Sequence, residues 1–500
     1  MMIRKKNKST VAYLFVFVIA TFFITVFSKC SPLYAFNNSP DATVIFEVGR
    51  RMFDGSVLYR DVVDQKGPFL FVIYGIASLI STADYIGLYF IEILFAFLTL
   101  TFVYKIASLK FSMDKSVLCT MLVASVMYCY PLNTYGGDTA ELMMMPFLMY
   151  LYYLGFRYVC KNVEIKPYEY LIVGITSGCV LWSKYTLLGI YLAWFVFPAI
   201  DMIKAKRIDK LFKTVLIIIA GVLISSIPWI IYFGANNYLG EFLKFYFLEQ
   251  ATYYQKADLV RSLSNGVRYT FIYMFVPIIG LFGAILYFIK TKKELPKKLV
   301  SYNLLMYVVL FSFIYLIGNG GRYPYYFIAL LVFLVPGFMA VVYCLELLVS
   351  KMKKDRLKKL FVASFCVLIC VITSTSYSST IHYINENEEE TPYYQFAQYI
   401  DEQNKSRTVT VCGNCIDSAP FFKYMDCFED FKYVSPLNAG FPDMIEHYRT
   451  GLQNGTYDYV ICVFDDSFCK DNPKYQFVKK TKYFYQGYYV NFYLYERCVA

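Results

Sequence analysis

A chain of 500 residues in which 58% are hydrophobic and only 17% are charged, with mean hydropathy +0.45, is excluded from the soluble globular class and reads as a multi-span membrane protein. The net charge of +11 calls for no nucleic acid, because the basic residues are confined to every second loop between apolar runs.

Apolar runs of membrane length recur at 11–27, 86–104, 117–131, 142–156, 168–183, 186–200, 212–233, 269–289, 299–317, 326–347 and 360–378. They predict an all-α polytopic protein of about eleven transmembrane helices. Lysine and arginine gather at 4–8, 105–115, 157–166, 204–213, 290–298 and 351–359. By the positive-inside rule these loops and the N-terminus are cytoplasmic, and the first run is a retained signal anchor. The same phase makes 69–80 too short to span and assigns it to a juxtamembrane helix on the outer face.

The first outer loop, 28–85, collects charge in a way that simple connectors do not. Ser39 and Pro40 predict a helix over 40–54 that stops at Gly55. Asp41 then lies in the first turn, where the helix dipole favours its ionised form. It serves either as a general base toward a hydroxyl or only as support for the helix start. Asp61, Asp64 and Lys66 follow, and Lys66 precedes the Gly67-Pro68 turn into the juxtamembrane helix. Lys66 is placed to meet a phosphate, or to pair locally with Asp64.

Further along, Asp138 either caps the helix that begins after it, with Glu141 three residues on, or is a second acid in the same outer cavity. Lys184 and Arg322 sit at the outer interface, with Tyr325 beside the latter, and fit either a phosphate contact or interfacial anchoring. Glu92, inside the second run, requires a partner within the bundle. Two histidines, His382 and His447, both lie in the tail, so a histidine-based zinc site or triad in the bundle is excluded. No P-loop, GxGxxG or GxSxG in the required context occurs. A group transfer at the outer face therefore needs a donor held in the membrane.

The last part, 379–500, opens with a polar linker at 385–392. It predicts a helix over 393–403, strands at 408–412 and 457–464, and a hairpin across 483–495 around Gln486-Gly487. This is a small α/β domain, extracytoplasmic by parity. Its cysteines, Cys412, Cys415, Cys427, Cys462, Cys469 and Cys498, favour structural disulfides there.

Taken in order, Asp41, Gly55, Tyr59-Arg60-Asp61, Lys66-Gly67-Pro68 and Asp138, with the later Lys184-Tyr185 and Arg322-Tyr323-Pro324-Tyr325-Tyr326, resemble the GT-C membrane glycosyltransferases. The likeness is to the protein O-mannosyltransferase and aminoarabinose transferase superfamily, glycosyltransferase family 39-like. It covers the first two thirds of the chain.

That resemblance implies inverting transfer of a sugar from a polyprenyl-phosphate carrier to a cell-surface glycan, lipid or protein acceptor at a bacterial plasma membrane. It makes Asp41 the base and Asp138 the second acid. Lys66 and Arg322 would hold the departing phosphate, with Asp61, Asp64, Lys184 and Tyr325 as further binding residues. Ala42, Gln65 and Tyr325 depart from the family pattern, and Gln65 in particular leaves a divalent metal without support. A lipid-linked oligosaccharide flippase is the rival from another class, and a surface-glycan polymerase or ligase is the nearer one.

Overall fold

The protein is described from a computed structural model covering residues 2–498, apart from 36, 38, 130–137, 254–257, 291–296, 318–323, 379, 404–407, 413–420, 422, 426–431, 434–439 and 486–487. Each apolar run read from the sequence contains a helix among the described residues. In chain order the long helices are α1 (Met2–Phe27), α4 (Ile86–Ser108), α5 (Met113–Met127), α6 (Ala140–Lys161), α7 (Pro167–Lys184), α8 (Gly189–Lys204) and α9 (Ile208–Ala235). Then come α12 (Leu259–Lys290), α13 (Lys297–Leu316), α14 (Leu334–Leu348), which continues a 3-10 segment from Pro324, and α15 (Asp355–Tyr377). Among the described residues, seven helical stretches are long and apolar enough to cross a membrane. Exposed Leu, Ile and Phe side chains cover α9, α12 and α15, as a lipid-facing surface requires.

The basic loops gather at one end of the bundle. Lys298 Nζ reaches Asp201 Oδ2 at 3.0 Å, Lys210 pairs with Glu164, and Lys115 pairs with Glu346.

Two shorter helices follow α1: α2 (Pro40–Phe53) and α3 (Pro68–Ser78). Ser39 and Pro40 start α2, while Gly55 at φ +104° turns the chain out of it. That conformation favours glycine because it carries no Cβ. α3 is the short apolar helix expected at 69–80, and it packs along α2.

A short segment connects α9 to α12: α10 (Leu239–Leu243), a π-helical stretch over Lys244–Glu249, and α11 (Gln250–Tyr253). It packs its aromatic side chains on the loop between α2 and α3.

The C-terminal part is a small sheet domain. Its elements are α16 (Pro392–Glu402), β1 (Val409–Cys412), α17 (Pro442–Asn454), β2 (Tyr459–Val463), α18 (Ser467–Lys470), β3 (Tyr475–Tyr485) and β4 (Tyr488–Arg497). Strand order is β1-β2-β4-β3, with β1 and β2 parallel and the others antiparallel. The helix, both short strands and the hairpin were legible in the sequence; α17 was not anticipated.

The expected disulfides are not formed among the described residues. Cys462 and Cys469 stand as thiols with sulfurs 3.3 Å apart, and Cys412 and Cys498 are also free. Cys412 and Cys462 are opposite partners in the parallel ladder, where backbone pairing fixes their separation. Cys415 and Cys427 lie outside the described residues.

Candidate active site

The loop 55–67 is shaped by its own acids. Asp61 accepts the Val57 amide at 2.8 Å and pairs with Arg60 at 2.8 Å, both at the exposed edge of the turn. Among the described residues it makes no contact with Asp41 or Lys66, so it stabilises the turn rather than joining them.

Asp64 is buried, and its Oδ1 accepts the Lys66 amide at 3.0 Å. The same oxygen lies 3.8 Å from Lys66 Nζ. Asp64 thereby fixes both the backbone and the side chain of Lys66. The Lys66 ammonium then reaches Asp41 Oδ1 at 3.6 Å across the start of α2.

Gly67 joins this group to α7. Its amide donates to the Ser183 carbonyl at 3.0 Å, and a Cβ at this position would land on the Trp182 carbonyl. Only glycine permits such an approach. It sets Lys66 beside the last residue of α7, Lys184, which feels the charges of both Lys66 and Asp41.

Lys184 is paired with Glu141 of α6, whose side chain is fully buried. Its ammonium also lies 3.9 Å from the Tyr326 ring centre and 5.4 Å from that of Tyr325, within cation–π range. Asp41, Asp64, Lys66, Lys184 and Tyr325 are thus brought together. Arg322 lies outside the described residues.

Glu141 and Tyr326 are members that sequence reasoning did not select. Locally Glu141 reads only as part of a capping pattern, because nothing within a few positions shows that it faces Lys184, 43 positions away.

Asp138 departs from the capping reading. The cap of α6 is Thr139, whose side chain accepts the Leu142 amide. The Asp138 side chain is fully buried, accepting from Asn37 Nδ2 at 2.8 Å and from the Cys30 thiol at 3.2 Å. Its own amide donates to Glu92 Oε1 at 2.8 Å, and Ser28 donates to the other oxygen of Glu92. Glu92 therefore finds its partners in the first loop and the start of α6.

Burial pushes the Asp138 carboxyl above the usual carboxylate range, against the Cys30 and Asn37 hydrogen bonds that favour its charge. Asn37 in turn accepts the Ser39 amide at 2.9 Å. A continuous route thus runs from Asp138 through Asn37 to the N-cap of α2, two residues before Asp41. Asp138 thus tethers the loop that presents Asp41, with its own side chain fully buried.

Beside it, Lys29 is buried with its ammonium 4.0 Å from the Tyr383 ring centre. Desolvation lowers its pKa to about 8, opposed by Glu386 and Asp138. Among the described residues no three His, Cys, Asp or Glu side chains converge as a metal site would need.

The structure superposes on ArnT from Cupriavidus metallidurans bound to undecaprenyl phosphate. The TM-score is 0.60 at 13% identity, and 97% of each chain is covered. The fold is that of the GT-C membrane glycosyltransferases. The apo form of the same ArnT matches with a TM-score of 0.57 at 12% identity, again over 97% of both chains. Within the GT-C fold, residues 65–232 match the family model of dolichyl-phosphate-mannose-protein mannosyltransferases. That stretch holds Lys66, Asp138, Glu141 and Lys184, whereas Asp41 precedes it. No curated protein matches the whole sequence significantly.

Proposed function

We propose that this protein is an inverting membrane glycosyltransferase. It moves a sugar from a polyprenyl-phosphate carrier to a hydroxyl of a surface glycan, lipid or polymer at the outer face of a bacterial plasma membrane. The observation that carries this reading is the approach of Lys66 to Asp41 at 3.6 Å, with Lys184 beside them.

In the reaction the acceptor oxygen attacks the anomeric carbon and its proton passes to Asp41. The bond from that carbon to the phosphate oxygen breaks, and the electron pair leaves with the phosphate. Lys66 and Lys184 neutralise the charge that develops there, which is the largest electrostatic demand of the step. Attack from the face opposite the phosphate inverts the anomeric centre. Asp64 fixes Lys66, Glu141 holds Lys184, and Tyr325 and Tyr326 wall the Lys184 side.

The basic loops support an orientation with the N-terminus in the cytoplasm and the sheet domain outside. The bound undecaprenyl phosphate of the ArnT structure supports a lipid phosphate as the carrier class. A flippase would be expected to use a charge deep in the bundle. The acid at that depth, Glu92, is instead taken up by Ser28 and the Asp138 amide.

The test is sugar transfer from radiolabelled polyprenyl-phosphate sugars in proteoliposomes, comparing wild type with Asp41→Asn. Transfer by the wild type and a loss of about 10²–10⁴-fold in the variant is expected for a missing general base. Donor crossing the bilayer unchanged in both proteins would replace this reading with transport.

A further inference from the structure

The sheet domain is tied to the loop that carries Lys66 by contacts its own core does not need. Tyr433, Phe441 and Met444, all between β1 and β2 in sequence, pack in the core of the transmembrane part, while the sheet has two apolar clusters of its own. The Val63 amide donates to the Lys432 carbonyl at 2.6 Å, and Val63 and Tyr433 form a parallel bridge. From there a run of rings leads inward. Tyr433 stacks on Phe441 with centres 5.7 Å apart, and Phe441 on Phe245 at 5.4 Å. Phe245 lies against Tyr59 at 5.2 Å.

Tyr59 is the end of this run and the beginning of the site. It is buried, holds φ +63°, and donates its hydroxyl to the Lys66 carbonyl at 2.7 Å. A non-glycine residue holds that backbone conformation only when its surroundings enforce it. Four of those surroundings are rings, those of Phe71, Phe233, Phe242 and Phe245, and the sheet domain reaches them through Phe441, which stacks on Phe245. The Gly440 amide, donating to the Tyr253 carbonyl at 3.0 Å, fixes Phe441 over the segment that contains Phe245.

We infer that the sheet domain positions Lys66 for the carrier phosphate through the Tyr433–Phe441–Phe245–Tyr59 stack, with Phe441 as the positioning residue. This rests on the glycosyltransferase reading for its kinetic consequence and on geometry alone for its mechanical one. The domain is then a brace for the phosphate side of the site. Phe441 touches no substrate.

Two measurements on the full-length protein test it separately. The first is amide hydrogen exchange across 57–67 in Phe441→Ala, with Phe441→Tyr keeping the ring. Exchange at least about tenfold faster in the alanine variant, and near wild type in the tyrosine variant, is expected if the stack sets local opening of the loop. Unchanged exchange overturns the inference whether or not the protein transfers sugar.

The second is steady-state transfer, where displacing a lysine that neutralises the charge developing on the leaving phosphate lowers kcat/KM for the carrier-linked sugar by about tenfold in Phe441→Ala and leaves it near wild type in Phe441→Tyr. An unchanged kcat/KM in the alanine variant, or an equal loss in the tyrosine variant, overturns the positioning role. If Phe441→Ala does not fold, Tyr433→Leu breaks the other end of the stack and is read the same way. Absence of transfer in the wild type defeats the enzyme reading and leaves the exchange result to decide the brace.

Discussion

The Gly67 amide and the Ser183 carbonyl, 3.0 Å apart, form the joint between the outer loop and the transmembrane bundle. Because Lys66 precedes one partner and Lys184 follows the other, this hydrogen bond brings the two lysines to neighbouring positions of the backbone. A Cβ at position 67 would land on the Trp182 carbonyl, so the loop must retreat to admit one. Gly67→Ala is expected to destabilise the protein by about 1–3 kcal/mol, as overpacking does. It should also abolish transfer even where the protein remains folded. Thermal unfolding in detergent and transfer assays on the same preparation check both halves.

Glu141 and Lys184 form a buried ion pair, with side chains 0% and 13% exposed. Removing one charge strands the other in a poorly solvated place, which costs about 3–5 kcal/mol. Glu141→Gln is therefore expected to lose more stability than the double variant Glu141→Leu/Lys184→Met, in which both charges go. Denaturant titration of the two variants gives the ordering. Equal losses would mean that the pair is solvated in the membrane-bound protein.

Asp41 and Asp138 should separate in kinetics. Asp138→Asn keeps an oxygen able to accept from Asn37 and Cys30, and it introduces no charge. It is expected to retain transfer within about tenfold of wild type, whereas Asp41→Asn loses about 10²–10⁴-fold. Comparable losses in kcat, with folding intact, would assign Asp138 to the reacting groups instead.

The same cluster predicts a pH signature in stability. The Asp138 carboxyl is raised by burial, so the folded state keeps its proton while the unfolded chain ionises from about pH 4 upward. Its contribution is fully present below the unfolded value and is lost as pH rises through the folded one. Lys29, lowered from 10.5 to about 8, acts in the opposite sense. Between those two values the unfolded chain binds more protons than the folded one, so stability rises with pH there. Unfolding midpoints across pH 4–10 should fall and then recover. Asp138→Asn should flatten mainly the acid limb, and Lys29→Met mainly the alkaline limb, each shifting the other's midpoint because the two charges interact.

Much of the fold was legible because it follows from local pattern. Runs of apolar residues give helices wherever they are long enough, as at 86–108 and 208–235. Ser39-Pro40 and Gly55 bound α2 through backbone preferences that act within a few positions. Pro68 starts α3 for the same reason. α17 is not legible because its buried face is short, carried by Met444, Gly451 and Leu452.

By itself, the sequence determined that this is a helical membrane protein, how its basic loops are distributed, and which acids and lysines mark one end of it. Those properties depend on composition and on neighbours in the chain. Only tertiary structure decided that Lys66 meets Asp41, that Lys184 is held by Glu141, and that Asp138 is turned inward toward Asn37 and Glu92. Each of these depends on which remote helix supplies the facing side chain. A carboxylate stays partly open, as Asp41 does, or is buried, as Asp138 is, according to that facing surface, and its residue type does not distinguish the two.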